Sequence, residues 1–294
     1  MAVVVVADSD APPVRHAAVR AVDAVRSRLW WGWVAVLALI ALFAVFGDAL
    51  APHDPTEQSL LDRLKRPMES SDRGLHVLGT DALGHDLLSQ IIVGARLTVF
   101  IAFTAMLIGS VIGVTLGMAA GFYGGLVDRL VSRLAETQTA MPMFLIALLL
   151  ITVLGASVIN LLIVLPALVW PTFARIVRAE TLRLRETPFI EAAVAVGCTG
   201  RSIMWHHLRP NLLPRIVVLG VISTGQVILS EAGLSYLGAG VQPPDVTWGL
   251  LISDGQDYLA VAWWLAIMPG IFLGLTVLSL NMIGRRYSAQ TGMQ

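Results

Sequence analysis

Few residues of this 294-residue chain stand in a pattern that could do chemistry. Asp81, His85 and Asp86 lie close enough in sequence to ligate a metal ion or activate water. The same spacing suits a capping or salt-bridging turn at the start of a helix, and that reading is the stronger one. His206 and His207 are adjacent. Neighbours on a helix point about 100° apart, so an interface role fits them better than a shared ion. Serine and histidine occur outside any G-x-S-x-G or H-E-x-x-H frame. The single cysteine, Cys198, excludes a disulfide framework and a multi-cysteine metal site, and reads as a packing residue. The single lysine, Lys65, sits in Leu64-Lys65-Arg66-Pro67 without a glycine frame, which excludes a phosphate-binding loop. No catalytic residue, metal ligand or cofactor-binding residue is assigned. If ATP drives this protein, another chain must bind it.

The elements that carry these residues are apolar. The composition is 56% hydrophobic and 14% charged, against about 25% charged in an ordinary soluble domain. Uncharged runs cover Leu29–Gly47, Leu97–Val127, Thr137–Ala174, Ile216–Ser230 and Tyr258–Gly284. A crossing needs roughly 20 apolar residues, so Thr137–Ala174 holds two, turning at Gly155-Ala156-Ser157 with a kink at Pro166. Leu212–Leu234 makes another crossing, with Arg215 and Glu231 at its interfaces. The expected fold is an all-α integral membrane protein of six helices. The apolar stretch Leu29–Gly47 is too long for a signal peptide core and reads as a retained span. Zero net charge points to no nucleic-acid partner.

Arginines set the orientation. Arg175, Arg178, Arg183, Arg185, Arg201, Arg209 and Arg215 crowd one loop, which the positive-inside rule places in the cytoplasm. Counting crossings then puts both termini inside. The expected layout is a loose tail over 1–28, a first crossing over 29–51, an outer loop over 52–93, a core over 94–284 with its inner loop at 175–215, and a tail over 285–294. The outer loop, carrying Arg63, Lys65, Arg66 and Arg73, dissents mildly from the rule. A short amphipathic helix is expected near Leu60–Lys65.

Within the inner loop, Thr187 is a candidate N-cap, Pro188 a first helical residue and Glu191 a charge suited to the helix dipole. Phe189, Ala192, Ala193 and Val196 share one small apolar face. Gly197 fits a left-handed cap. Thr199 then caps a second short helix over Arg201–Leu208, which Pro210 should end. The result is either a compact knob for a partner's groove or a connecting loop that is helical. In the second helix Gly109, Gly113, Gly117 and Gly121 recur every fourth residue, as a packing ridge would. In the fifth, Ser223, Gln226 and Ser230 share a face that either packs on a neighbour or lines a wet path. No charge falls in mid-membrane, which weighs against a proton-driven secondary carrier, and no catalytic frame supports an intramembrane enzyme.

The stretch from Glu191 to Asn211 resembles the EAA loop of ABC-transporter permeases, in the form seen in the dipeptide, oligopeptide and nickel branch. Glu191, Ala192, Ala193, Gly197, Ile203, His207, Pro210 and Asn211 match its pattern, while Arg209 replaces a leucine. Gly79-Thr80-Asp81 with Gly84-His85-Asp86 resembles the branch's G-T-D-x-x-G-R-D, His85 replacing arginine. Gly121-Phe122-Tyr123-Gly124-Gly125, Leu234–Gly238, Pro243-Pro244, Trp248-Gly249 and Asn281 with Gly284 match further segments in order. The tail Arg285-Arg286-Tyr287-Ser288 departs from the branch.

The resemblance implies the type I ABC importer permease architecture in a bacterial inner membrane. It implies a non-catalytic subunit of an importer for di- or oligopeptides, with nickel or another solute as the alternative cargo. Implied partners are a homologous second permease, two cytoplasmic ATPases that carry ATP and magnesium, an external solute-binding protein and membrane lipid. The eight matched residues would couple to the ATPase. Ser223, Gln226 and Ser230 are candidates to line the path.

Overall fold

The computed structural model describes residues 13–290 apart from Arg73, with the backbone alone for 13–29, Met143 and Gln290. Residues 1–12 of the expected first tail and 291–294 of the last lie outside the described residues. The elements are α1 (Pro13–Leu50), β1 (Glu69–Ser71), β2 (Gly74–His76), α2 (Leu87–Tyr123), α3 (Gly125–Ala140), α4 (Met143–Leu154), α5 (Val158–Arg185), α6 (Pro188–Ala195), α7 (Gly200–Ile203), α8 (Arg209–Tyr236), α9 (Trp248–Gln256) and α10 (Trp264–Gln290). A π-helical turn over Met204–Leu208 joins α7 to α8.

Among the described residues the fold is all-α apart from one hairpin, in which β1 and β2 pair antiparallel with Glu69 opposite His76. Among the described residues five helices are long and apolar enough to cross a membrane, and a sixth span arises if the bent pair α3 and α4 counts as one. The six expected crossings are recovered in that sense, with one correction. α4 has 12 residues, about 18 Å at 1.5 Å per residue, too short for a hydrocarbon core of about 30 Å. It meets α3 at a 90° bend, because the backbone turns extended at Met141 and Pro142.

Other expectations also shift. Residues 13–28 are not loose chain but continue the first helix, since Pro13 suits a helix start and no glycine follows before Gly32. The helix expected near Leu60–Lys65 shrinks to one 3-10 turn over Leu60–Asp62. The turn at Gly155 holds as expected. Gly155 takes φ +91°, Ser157 caps α5, and the Asn160 amide donates to Leu154 O and Gly155 O at 2.9 and 2.8 Å.

α2 and α5 form the central seam. A Cβ on Gly117 would lie 2.5 Å from Ala174 O, and one on Gly121 would lie 2.7 Å from Thr181 Cβ. The glycine ridge is therefore packing surface, the expected reading, and it lets two backbones touch where no hydrophobic driving force is on offer. α5 runs through Pro166 and Pro171. Pro171 has no N–H for Ala167 O; the Gln138 amide of α3 donates to that carbonyl instead, while Trp170 Nε1 donates to Gln138 Oε1 at 2.8 Å. Trp248, fully buried, fixes the outer end: its amide donates to Thr98 Oγ1 and its indole to Ile91 O, at 3.0 and 2.9 Å.

Candidate functional site

The inner loop folds into an elbow. α5 ends at Arg185 and α6 starts at Pro188. Thr187 occupies the N-cap position, but its hydroxyl donates back to Leu184 O at 2.5 Å and caps nothing in α6, a correction to the expected cap. Glu191 lies in the first turn of α6, as expected. The far end closes as a Schellman motif: Cys198 N donates to Ala193 O at 3.0 Å, and Gly197 N donates to Val194 O at 2.9 Å. Gly197 takes φ +85°. Thr199 caps α7, accepting from Ser202 N.

The second arm does not end at Pro210. Gly200–Tyr236 is one continuous 37-residue rod. Pro210 falls in the first turn of α8, and the preceding π-helical turn has already changed the hydrogen-bond register, so the missing N–H breaks nothing. The Asn211 amide donates to His207 O at 2.6 Å across this join. Arg209 stacks over the Trp205 ring, 4.8 Å from its centroid, instead of making an apolar contact.

A separate small core anchors the elbow. Ile190, Ile203 and Leu208 are buried with Met118, Val177, Leu184 and Leu212, so the elbow rests on the ends of α2, α5 and α8. The matched residues divide accordingly. Ile203 is an anchor, and Ala193 and His207 are half-buried. Glu191, Ala192, Gly197, Pro210 and Asn211 face outward. Phe189, Val194 and Val196 add apolar surface beside them, and Val196 is 84% exposed. Adding a Cβ to Gly197 would meet nothing within 4 Å. The elbow has a fixed root and an open, partly apolar tip.

Ion pairs brace the same end. Arg178 grips both oxygens of Asp128, linking α5 to α3, and Glu180 accepts from Arg183 and Arg215, linking α5 to α8. His206 Nδ1 meets Ser202 O at 3.2 Å.

The three path candidates do not share one environment. Ser223 is buried, Ser230 is half-buried and Gln226 is exposed. Sequence spacing put them on one face, and α2 and α10 both pack against α8, with Met106 beside Gly220 and Val277 beside Gly225.

At the opposite end lies a cavity of about 1250 Å³, lined among others by Asp81, His85, Arg96, Pro243, Asp254 and Asp257. Partial burial raises the Asp254 carboxyl above the usual carboxylate range, and the charges of Asp81 and Asp257 push the same way. Asp81 is itself held in a turn, its Oδ1 accepting from Leu83 N and His85 N at 2.8 Å each and its Oδ2 meeting His85 Nδ1 at 2.7 Å. Asp86 caps α2 through Ser89 N. The turn reading of this motif therefore holds. Glu231 was expected at an interface but is buried in protein, accepting from Ser235 and Thr247 at 2.8 and 3.0 Å. Thr247 caps α9, so Glu231 ties α8 to the wall of the cavity. Spacing alone could not reveal that link, because Thr247 lies beyond an irregular stretch.

Comparison with known proteins matches these features to one family. The family described as binding-protein-dependent transport system inner membrane component covers residues 113–289, and the N-terminal transmembrane domain of oligopeptide transport permease C covers residues 26–67. A di/tripeptide transport system permease protein of Pseudomonas aeruginosa is 34% identical over 86% of this chain and 84% of its own length. A glutathione transport system permease protein of Salmonella typhimurium is 36% identical over 85% of this chain and 80% of its own. A chain from the inward-facing MetNI methionine ABC transporter superposes with a TM-score of 0.54 at 21% identity, over 68% of this chain and 95% of that one, a likeness of fold. The elbow, the spans and these matches together make the chain a member of the binding-protein-dependent transport system inner membrane component family, a multi-pass ABC importer permease subunit of the inner membrane.

Proposed function

We propose that this permease imports di- or oligopeptides or related small solutes, and that the elbow from Glu191 to Asn211 is where a cytoplasmic ATPase drives it. The named cargoes of its relatives, dipeptides, tripeptides and glutathione, support the peptide class. The observation that carries the coupling role is the build of the elbow. Its root is buried, its tip is open and partly apolar, and its second arm continues as the α8 span. A push on the tip moves that span as a rigid rod.

In this reading a homologous second permease completes the pathway, and the cargo passes between the two. Ser223, Gln226 and Ser230 on α8 are the path candidates, of which Gln226 is the exposed one. Two ATPases hold ATP and magnesium; this chain supplies no residue to either. An external binding protein delivers solute to the cavity beside Asp254. In this reading the arginine-rich elbow is cytoplasmic by the positive-inside rule, and six crossings leave both termini on the same side.

The test is a Gly197→Asp permease reconstituted in proteoliposomes with its partner permease, ATPases and binding protein. Aspartate tolerates positive φ better than most residues and meets no neighbour here, so the chain should insert normally. The expected result is loss of ATPase binding and at least about a tenfold fall in dipeptide uptake. Wild-type uptake with ATPase binding intact would refute the coupling role.

A further inference from the structure

Away from the elbow and the cavity, His53, His76 and Asp86 come together at the base of the outer loop. Each offers one ligand atom, and these atoms all lie within 4.8 Å of one another, the only such group among the described residues. His53 follows α1, His76 ends β2 and Asp86 caps α2. His76 Nδ1 is 2.9 Å from Asp86 Oδ1, and His53 Nδ1 is 3.7 Å from the same oxygen. The His76 and Asp86 side chains are 3% and 1% exposed and that of His53 is 20% exposed.

Two features go beyond a histidine–aspartate hydrogen bond. The first is that His53 Nδ1 is shut off from solvent with no hydrogen-bond partner. Such an orphan costs about 1–3 kcal/mol, so a group held there without use is a liability. The second is that the far polar atoms of His76 and Asp86 are already tied from behind. Ser71 Oγ lies 3.1 Å from His76 Nε2. Asp86 Oδ2 accepts from Ser89 N and Ser89 Oγ at 2.9 and 2.7 Å. That leaves Asp86 Oδ1 and two imidazole Nδ1 atoms converging. Metal-binding histidines are commonly held this way, by a partner on the far ring nitrogen.

We propose that His53 Nδ1, His76 Nδ1 and Asp86 Oδ1 bind a divalent ion of the zinc class. Two imidazoles and a carboxylate match zinc's ligand preference, and three protein ligands leave a fourth position for water. On binding, His76 changes tautomer: the proton that Nδ1 shares with Asp86 leaves for solvent, Nε2 takes one up from solvent, and Nε2–H donates to Ser71 Oγ, with no net proton released. The ion clamps the hairpin and the segment after α1 to the head of α2. It is a resident ion and not cargo, because none of the three ligands lines the outer cavity.

The test uses the full chain in its assembled transporter, purified without a polyhistidine tag, stripped with chelator and titrated with Zn²⁺ against a chromophoric competitor. One Zn²⁺ per chain is expected, with a rise in Tm on addition. Asp86→Asn keeps an oxygen to cap α2, and His53→Gln alters a partly exposed side chain, so both should fold. Each should weaken zinc at least about tenfold and abolish the Tm rise, while His206→Ala/His207→Ala should change neither. Less than a tenth of an equivalent bound to wild type would overturn the proposal. Equal affinity in wild type, Asp86→Asn and His53→Gln would also overturn it.

Discussion

Gly197 is a single residue whose backbone shapes the elbow. Its φ of +85° closes α6, and open space surrounds its Cα beside the exposed Val196. Spacing made this glycine legible, because a small apolar helix followed by glycine and a capping threonine has few other solutions. The turn of Asp81, His85 and Asp86 was legible for the same local reason. The side to which Asp86 turns its second oxygen was not, because His53 and His76 are distant in sequence and only the folded loop brings them near. Asp254 supplies a residue-scale prediction. Its folded pKa lies above the ordinary value because of partial burial, then Asp81 and Asp257. A raised carboxylate pKa means that folding favours the protonated form. Stability is therefore undiminished below the ordinary carboxylate range and falls as pH rises through the folded pKa. Asp254→Asn should raise Tm at neutral pH, and the gain should vanish as pH drops below the ordinary carboxylate range. A gain of equal size at both ends of a pH series of melting curves would exclude the desolvation account.

At the scale of elements, the long apolar runs disclosed the spans, but their ends were set by contacts across the bundle. α4 is short because extended backbone at Met141 and Pro142 turns the chain, and that turn depends on α3 lying against α5 through Arg178 and Gln138. The π-helical join before Pro210 was equally invisible, since proline after a short helix ordinarily reads as a stop. Pro210→Ala should therefore change Tm by no more than a surface substitution does, about 0.5 kcal/mol equivalent. A much larger loss in thermal melts would show that proline shapes the join. The α2–α5 seam predicts the opposite response. Gly117→Leu drives a side chain into Ala174 O, and overpacking costs about 1–3 kcal/mol or more. Size-exclusion and melting measurements should show a destabilised permease; an unaffected one would mean that the helices do not meet at this ridge.

For the whole molecule, the account has two ends and a rod. The elbow rests on the ends of α2, α5 and α8, and α8 runs from it to Glu231, which holds Thr247 beside the cavity at the opposite end. A displacement at the tip has an unbroken helical path to the opposite mouth. The most direct measurement places a cysteine at Val196, in a Cys198→Ser background, and applies a bifunctional maleimide to the reconstituted transporter. Val196→Cys should cross-link to the ATPase subunit, with a yield that changes between nucleotide-free and ATP-bound states. If that cysteine never cross-links to the ATPase and is instead labelled by an impermeant thiol reagent from the side of the binding protein, the elbow faces the wrong way and the account fails.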